Sequence, residues 1–390
     1  MGTGFPVGAS VTLAELERDP HPVLARLRAS EPVSWVPALG GWIVTRRDLV
    51  LQAMRDADRF TVDDPRFSTA QVVGPSMLSL DGARHRRQRD PFAAAFRLDA
   101  VRSRFTAIVG EEVDRLLDLI APRGAADLRR DIAGPLSVVT MVHALGLEEI
   151  DPRVALGWYA DIVSEVTAIT EGREPDGSGR AAFARLRAAV EPALGRDPST
   201  SLVAAAAADS GGLGREEVAS NAAVLLFGGI ETTEAMIANA FLHLLAHDEQ
   251  RALVEQDPRL LANAVEESLR LEPAAAVVDR YATRDVELGG AHVRRGDLVT
   301  LSLAGANRDP GVFRDPDRYD VRRDSTRLQV AFAHGPHTCL GMHLARLETS
   351  AAVARTLSRL PGLRLDPTQP SSVRGLVFRK PDAVHVLWDL

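Results

Sequence analysis

Cys339 is the only cysteine in 390 residues, and a thiol used once cannot close an intramolecular disulfide. It must be buried, reactive or a ligand. The segment Phe332-Ala-His-Gly-Pro-His-Thr-Cys-Leu-Gly places it after a loop constrained by Gly335 and Pro336, at the expected start of a helix. Backbone N–H groups and the positive end of a helix dipole lower a thiol's pKa and favour the thiolate. Two other readings stand beside a reactive or metal-bound thiolate. A lone cysteine is commonly a small buried hydrophobe. His334, His337, Cys339 and His343 also lie close enough together for a zinc site, although the spacing lacks the C-x-x-C knuckle of structural zinc and no second ligand pair follows.

A second group sits in Leu226-Phe-Gly-Gly-Ile-Glu-Thr-Thr. Gly228 and Gly229 cost about 1 kcal/mol each relative to alanine inside a helix. They read either as close packing against a neighbouring helix or as a local widening that admits a ligand. Glu231 and Thr232 follow directly. Elsewhere, His85 and Arg89 lie one turn apart on one face in what reads as a basic helix start, while Glu267 and Arg270 share a face at i, i+3. Pairs of the latter kind are frequent on solvated helix faces and contribute little there.

Helices must position most of these groups. Helical spacing is expected from Pro22, over residues 46 to 56, and from Arg84 to about Ala208 with a polar break near Gly172 to Gly179. A long, largely apolar helix spans about Glu216 to Ala246, followed by helices at Leu261 to Leu271 and Leu340 to Leu360. Val33-Ser-Trp-Val and Trp42-Ile-Val-Thr read as a hairpin, and Val286-Glu-Leu, Ala291-His-Val and Leu298-Val-Thr-Leu-Ser as a second small sheet. Phe60 to Ser79 is expected to be a long surface loop.

Composition excludes several classes. The formal net charge of −7 argues against a nucleic-acid surface, and Lys380 is the only lysine, so arginine carries nearly all the positive charge. Met1 to Pro20 lacks the pattern of a signal peptide, and no run reaches the roughly 18 apolar residues of a membrane span. A protein free in the cytoplasm, with one cysteine, is the expectation.

The pattern F-x-x-G-x-H-x-C-x-G, here Phe332, Gly335, His337, Cys339 and Gly341, resembles the haem-binding signature of the cytochrome P450 family. One departure is Ala333, where bacterial members often carry glycine. The resemblance implies that Cys339 is the proximal iron ligand, that Phe332 lies near the sulfur, that Gly341 allows close approach of haem and helix, and that His337 contacts a haem propionate. Gly228 to Thr232 is similar to the family's oxygen-activation motif, with Gly229 beside the haem, Glu231 and Thr232 catalytic, and Thr233 turned outward. His85, Arg89 and Arg280 match propionate-binding positions. Glu267 and Arg270 match a buried pair joined by a further arginine, best Arg323 and next Arg318. Ala306-Asn-Arg-Asp-Pro310 and Phe313-xx-Pro-Asp-x-Tyr319 add matches, so the resemblance runs from about Asp19 onward.

The implied fold is mainly α with small β-sheets, a single domain over 1–390 with β-rich portions near 30–60 and 280–305, and haem between the long central helix and the cysteine-loop helix. The implied cofactor is haem b, iron protoporphyrin IX. The implied reaction inserts one oxygen atom from dioxygen into a small organic substrate, in secondary-metabolite tailoring. Electrons would come from an acidic ferredoxin-type donor with its reductase, docking on a basic patch of Arg84, Arg86, Arg87 and Arg346, with no nucleic acid or membrane involved. Substrate contacts are expected from Thr61 to Met77, Leu225, Gly228, Ala275 to Val278 and Val377. A peroxide-driven peroxygenase needs no proton relay, so Glu231 and Thr232 argue against it. A haem-binding sensor and a zinc-stabilised module are the non-catalytic alternatives.

Overall fold

The computed structural model describes residues 4–170, 173–199, 201–209 and 211–390. Its architecture is mainly helical with small sheets. Strands β1 (Val33–Val36) and β2 (Gly41–Val44) form the expected hairpin, with Trp35 opposite Trp42. The stretch Phe60 to Ser79 is not a surface loop throughout. It holds β3 (Phe60–Thr61) and a helix Ser68–Val73, and Val72, Val73 and Met77 are buried. Its polar residues face inward as well: the Met77 amide donates to Asn221 Oδ1 on the long helix at 2.8 Å.

Helices α1 (Gly82–Ala93) and α2 (Leu98–Ile120) lead to β4 (Ala125–Asp127), a single π-helical turn at Arg129–Ala133, and α3 (Gly134–Leu145). The expected polar break separates α4 (Pro152–Thr170) from α5 (Ser178–Val190), and its first residue, Gly172, lies outside the described residues. The long helix is α6 (Arg215–Leu245), 31 residues or about 46 Å. Glu216 and Glu217 in its first turn and His243 in its last match the helix dipole. Next comes α7 (Leu261–Leu271), with the boundaries the periodicity predicts.

Strands β5 (Val277–Ala282), β6 (Val286–Leu288), β7 (Ala291–Val293) and β8 (Leu298–Ser302) follow. The second sheet expected from β6, β7 and β8 does not form as one unit. Strands β6 and β7 pair alone, whereas β8 is the centre of a five-stranded sheet ordered β1-β2-β8-β5-β3. Val299 to Ser302 of β8 are all buried, which suits a strand covered on both faces. Strand β5 carries Asp279 and Arg280 mid-strand and lies outside the expected elements. Helix α8 (Met342–Arg359) precedes β9 (Arg364–Leu365), β10 (Val373–Arg374), β11 (Lys380–Pro381) and β12 (His385–Leu387). Strand β12 pairs with both β4 and β9, which ties the C-terminal segment to the helical half.

Two cores result. The larger is helical: Phe105, Val109, Val113 and Leu117 of α2, at helical spacing, pack with Leu136 and Met141 of α3 and with the apolar circumference of α6. The smaller lies under the five-stranded sheet around Trp42, Val44, Val299 and Leu301. Among the described residues no helix is long and apolar enough to cross a membrane.

Candidate active site

The cysteine loop is shaped by two residues in left-handed backbone, Ala333 at φ 57° and Gly335 at φ 79°. A Cβ on Gly335 would lie 2.7 Å from the Met54 carbonyl oxygen, so this position tolerates only glycine. Ala333 is the departure from the family pattern, and its φ explains why glycine is common there: an L side chain costs about 1–2 kcal/mol in this conformation. Ala333→Gly should therefore raise stability by up to about 1 kcal/mol after the added flexibility of the unfolded chain is subtracted. A thermal melt that moves down instead would show that the loop carries no such strain.

The Cys339 amide donates to the Phe332 carbonyl at 2.8 Å, closing the loop on itself. Helix α8 begins only at Met342, three residues beyond the expected start, so Cys339 precedes the helix. Its thiol is not depressed. Burial pushes it up, and the Gly341 N–H and the nearby Arg89 and Arg346 charges pull the other way. Yet Cys339 is exposed by surface area. Both hold if its open surface faces a narrow interior cleft rather than bulk water. A bound metal ion would deprotonate such a thiol outright. Among the described residues no three His, Cys, Asp or Glu side chains converge as a metal site, so the four-ligand zinc arrangement does not form.

The two mid-helix glycines of α6 differ in role. A Cβ on Gly229 would meet Met141 Sδ of α3 at 2.2 Å, whereas a Cβ on Gly228 would find nothing within 4 Å. Gly229 is thus the close-packing glycine and Gly228 borders open space. Helix α6 runs unbroken through both, so of the two readings of this pair close packing holds at Gly229 and the helix is not widened. Gly228→Ala should gain about 1 kcal/mol of helix propensity. Gly229→Ala should lose roughly 1–2 kcal/mol to overpacking net of that gain. Denaturant unfolding of the two variants should move in opposite directions, and movement in the same direction would refute the assignment.

Thr232 Oγ1 donates to the Gly228 carbonyl at 2.6 Å. Thr233 is buried rather than turned to solvent. Glu231 is buried and pairs with Lys380 Nζ at 2.8 Å. One turn beyond Thr232, Met236 packs with Val265, Leu269 and Ala345, and Ala331 and Phe332 join this cluster. The acid-alcohol segment and the cysteine loop are thereby fixed to each other. Arg346 lies 4.5 Å over the Phe332 ring and pairs with Glu266. Next to Gly341 there is room, the nearest atom to a Cβ there being Phe96 Cε1 at 3.9 Å.

The expected carboxylate-binding residues do come together. The His85 and His337 rings lie 4.3 Å apart, and Arg89 donates to the Thr338 carbonyl at 2.5 Å beside the cysteine. The Nε2 of buried His85 has no partner among the described residues, and burial, with the His337 and Arg89 charges, pushes its pKa down to about 4. Arg280 on β5 is buried and donates to the neighbouring Asp279 carbonyl at 2.8 Å. Sequence reasoning missed Asp81. It accepts from His337 Nε2 at 2.8 Å, from Thr61 Oγ1 and from the Val62 amide, and against the upward push of burial these bonds hold it near 2. The signal was its place at the N-cap of α1, four residues before His85.

Arg84 pairs with Asp63 and Arg87 with Glu217, so much of the supposed basic patch is neutralised within the chain. Of the two arginines weighed for the buried pair, Arg323 supplies the side chain, 2.9 Å from Glu267. Among the expected substrate contacts, Leu225 is buried in the helical core, while Ala275 bridges to Phe378 and the Ala276 amide donates to the Val377 carbonyl. Phe378 meets Phe227 edge to face at 5.5 Å, an aromatic pair beside Gly228 that the sequence did not single out.

The model of the family described as Cytochrome P450 matches residues 187–382. Nocardicin C N-oxygenase of Nocardia uniformis subsp. tsuyamanensis is 36% identical over 98% of this chain and 98% of its own length. The crystal structure of CalO2 superposes with a TM-score of 0.87 at 33% identity, covering 96% of this chain and 97% of that one. A post-tailoring hydroxylase involved in himastatin biosynthesis, HmtN, superposes at 0.83 with 26% identity over 97% of this chain and 100% of that one. A helical fold of this kind, with one cysteine loop packed against a long central helix, is that of a haem-thiolate oxidoreductase. The chain belongs to the cytochrome P450 family and is a monooxygenase. The residues present fit that cofactor. Cys339 is exposed, Gly228 borders open space, the buried His85 Nε2 has no hydrogen-bond partner among the described residues, and His85, His337 and Arg89 gather beside the cysteine.

Proposed function

We propose that Cys339 is the proximal ligand of a haem b, and that His85, Arg89, Arg280 and His337 hold its two propionates. When bound, the haem supplies the iron at which dioxygen is reduced and from which one oxygen atom passes to a small organic substrate. Gly228 and Gly341, rather than the expected Gly229, which packs on Met141, let α6 and the cysteine loop approach the macrocycle, and Phe332 shields the sulfur. Thr232 exchanges its bond to the Gly228 carbonyl for one to the reacting oxygen. Glu231 takes a proton from water at the outer side of α6 and yields it on the Thr232 side. The observation that carries the reading is Thr232 Oγ1 on the Gly228 carbonyl at 2.6 Å, at a glycine facing open space.

The chain acts as one domain over 1–390, supported by β2 lying parallel to β8 and β4 pairing with β12. A ferredoxin-type donor with its reductase is the electron source we assign, in the cytoplasm. Secondary-metabolite tailoring is supported by the names of relatives such as nocardicin C N-oxygenase and HmtN. The test is Thr232→Ala. The variant should keep the thiolate spectrum of the reduced carbon-monoxide complex while diverting reducing equivalents to peroxide, measured with a compound that shifts the ferric spin state. A fully coupled variant would refute the proton assignment.

A further inference from the structure

Arg379, the residue before β11, is 1% exposed and lies outside the motifs of the haem site. Its Nε donates to Glu272 Oε1 at 2.6 Å, just past the end of α7. Its Nη1 donates to the Leu16 and Glu17 carbonyls of the N-terminal helix Leu13–Arg18, and to the Gly375 carbonyl at 2.7 Å. The other oxygen of Glu272 is held by His21 Nε2 at 3.0 Å. Backbone bonds complete the frame: the Arg379 amide donates to the Ala274 carbonyl and the Gly375 amide to that of Glu17, while Asn239 Nδ2 of α6 donates to the Arg379 carbonyl at 3.0 Å. Burying a guanidinium and a carboxylate is costly, and an apolar pair of similar volume is often as stable. What Arg379 contributes is therefore geometry.

That geometry is a turn. The bond from Nη1 to the carbonyl four residues back closes Gly375 to Arg379 around the guanidinium. Gly375 sits at φ 115°, and a Cβ there would lie 2.0 Å from the Phe378 carbonyl oxygen, so the turn is as tight as glycine allows. Its other residues, Leu376, Val377 and Phe378, are apolar and partly exposed. Leu376 packs with the N-terminal helices, whereas Phe378 meets Phe227 of α6 edge to face at 5.5 Å, next to Gly228 and its open space. Phe378 also bridges to Ala275, and the Ala276 amide donates to the Val377 carbonyl, so the turn runs beside the start of β5, the strand of Arg280.

We propose that Arg379 is a positioning residue for substrate selection, a buried brace that sets how far Phe378 reaches toward the open space beside Gly228. The brace rests on the reading of that space as the substrate side of the haem. Phe378 then gives the substrate an aromatic wall, and the reach of the wall decides how large a flat group is held beside Gly228. A wall fixed before binding costs the substrate no ordering of the turn, so the brace favours aromatic groups that touch it and leaves smaller ligands unaffected.

Imidazole and the larger 4-phenylimidazole, which both ligate ferric haem through nitrogen, test the brace when titrated by absorption against the haem-loaded protein. Arg379→Lys keeps a cation opposite Glu272, but a compact ammonium cannot span the acceptors on Glu272, Leu16, Glu17 and Gly375. In that variant 4-phenylimidazole should bind about tenfold more weakly while imidazole stays within about twofold. Glu272→Gln, which keeps an acceptor for Nε without the charge, should move the same ratio less, and it decides the matter if Arg379→Lys does not load haem. Phe378→Ala should also weaken 4-phenylimidazole, and adding Arg379→Lys to it should change little further, because the brace acts through the ring. Additive losses in the double variant, or an unchanged ratio in both Arg379→Lys and Glu272→Gln with Phe378→Ala altered, would overturn the brace alone. An unchanged ratio in Phe378→Ala would remove the ring from the pocket and the brace with it. Azoles that leave the parent haem spectrum untouched would overturn the haem-site reading itself.

Discussion

Cys339→Ala should yield a folded protein without monooxygenase activity, whose reduced carbon-monoxide complex lacks the strongly red-shifted band of a thiolate ligand. The fold should survive because Cys339 is exposed rather than packed in a core, and the loop is held by bonds that the substitution keeps. These are the Cys339 amide to Phe332, the Thr338 hydroxyl to Gly335 and Arg89 to the Thr338 carbonyl. A stability loss within about 1 kcal/mol is expected for such a site. The basic residues around the propionate positions remain, so some haem should still be retained. With the thiolate gone, the electron donation that favours O–O cleavage is lost. Absorption spectra of the two proteins decide the matter: a parent-like band in the alanine variant would mean that the sulfur is not the ligand.

What the sequence made legible was local. The cysteine loop, the length of α6 and the boundaries of α7 follow from motifs and periodicities contained within a few turns of chain, and each appears within three residues of its expected place. Long-range partners were not legible. Asp81 meets His337 across 256 positions and Glu234 meets Lys380 across 146, and no local pattern encodes such a meeting. The same holds for β8, whose apolar run fits a second sheet as well as a central strand until β2 is placed beside it. Conformation was likewise hidden at Ala333, where the residue type reads as a packing change and the backbone shows a left-handed turn.

Glu267→Ala should be among the most damaging single substitutions outside the haem site, at about 3–5 kcal/mol, because it strands buried charge. The Glu267 and Arg270 side chains have no exposed surface, joined at 2.7 Å and 2.8 Å through both carboxylate oxygens, and Arg323 adds a bond at 2.9 Å. Removing the carboxylate leaves two guanidinium groups without a counter-ion. A loss of that size is a large part of the roughly 5–15 kcal/mol that folded domains have. Replacing a whole buried ion cluster with apolar residues is often harmless, but here it should not be. Arg270 also donates to the Asn307, Pro316 and Arg318 carbonyls, and Arg323 to those of Arg314, Asp315 and Arg318. An apolar triple replacement would strand these backbone acceptors, each costing about 1–3 kcal/mol if buried and unsatisfied. The irregular segment they hold leads directly into Phe332 and the cysteine loop, so haem content should fall together with the unfolding midpoint. A triple variant that melts at the parent temperature with full haem would show that the cluster serves charge balance alone and that the segment before the cysteine holds its own shape.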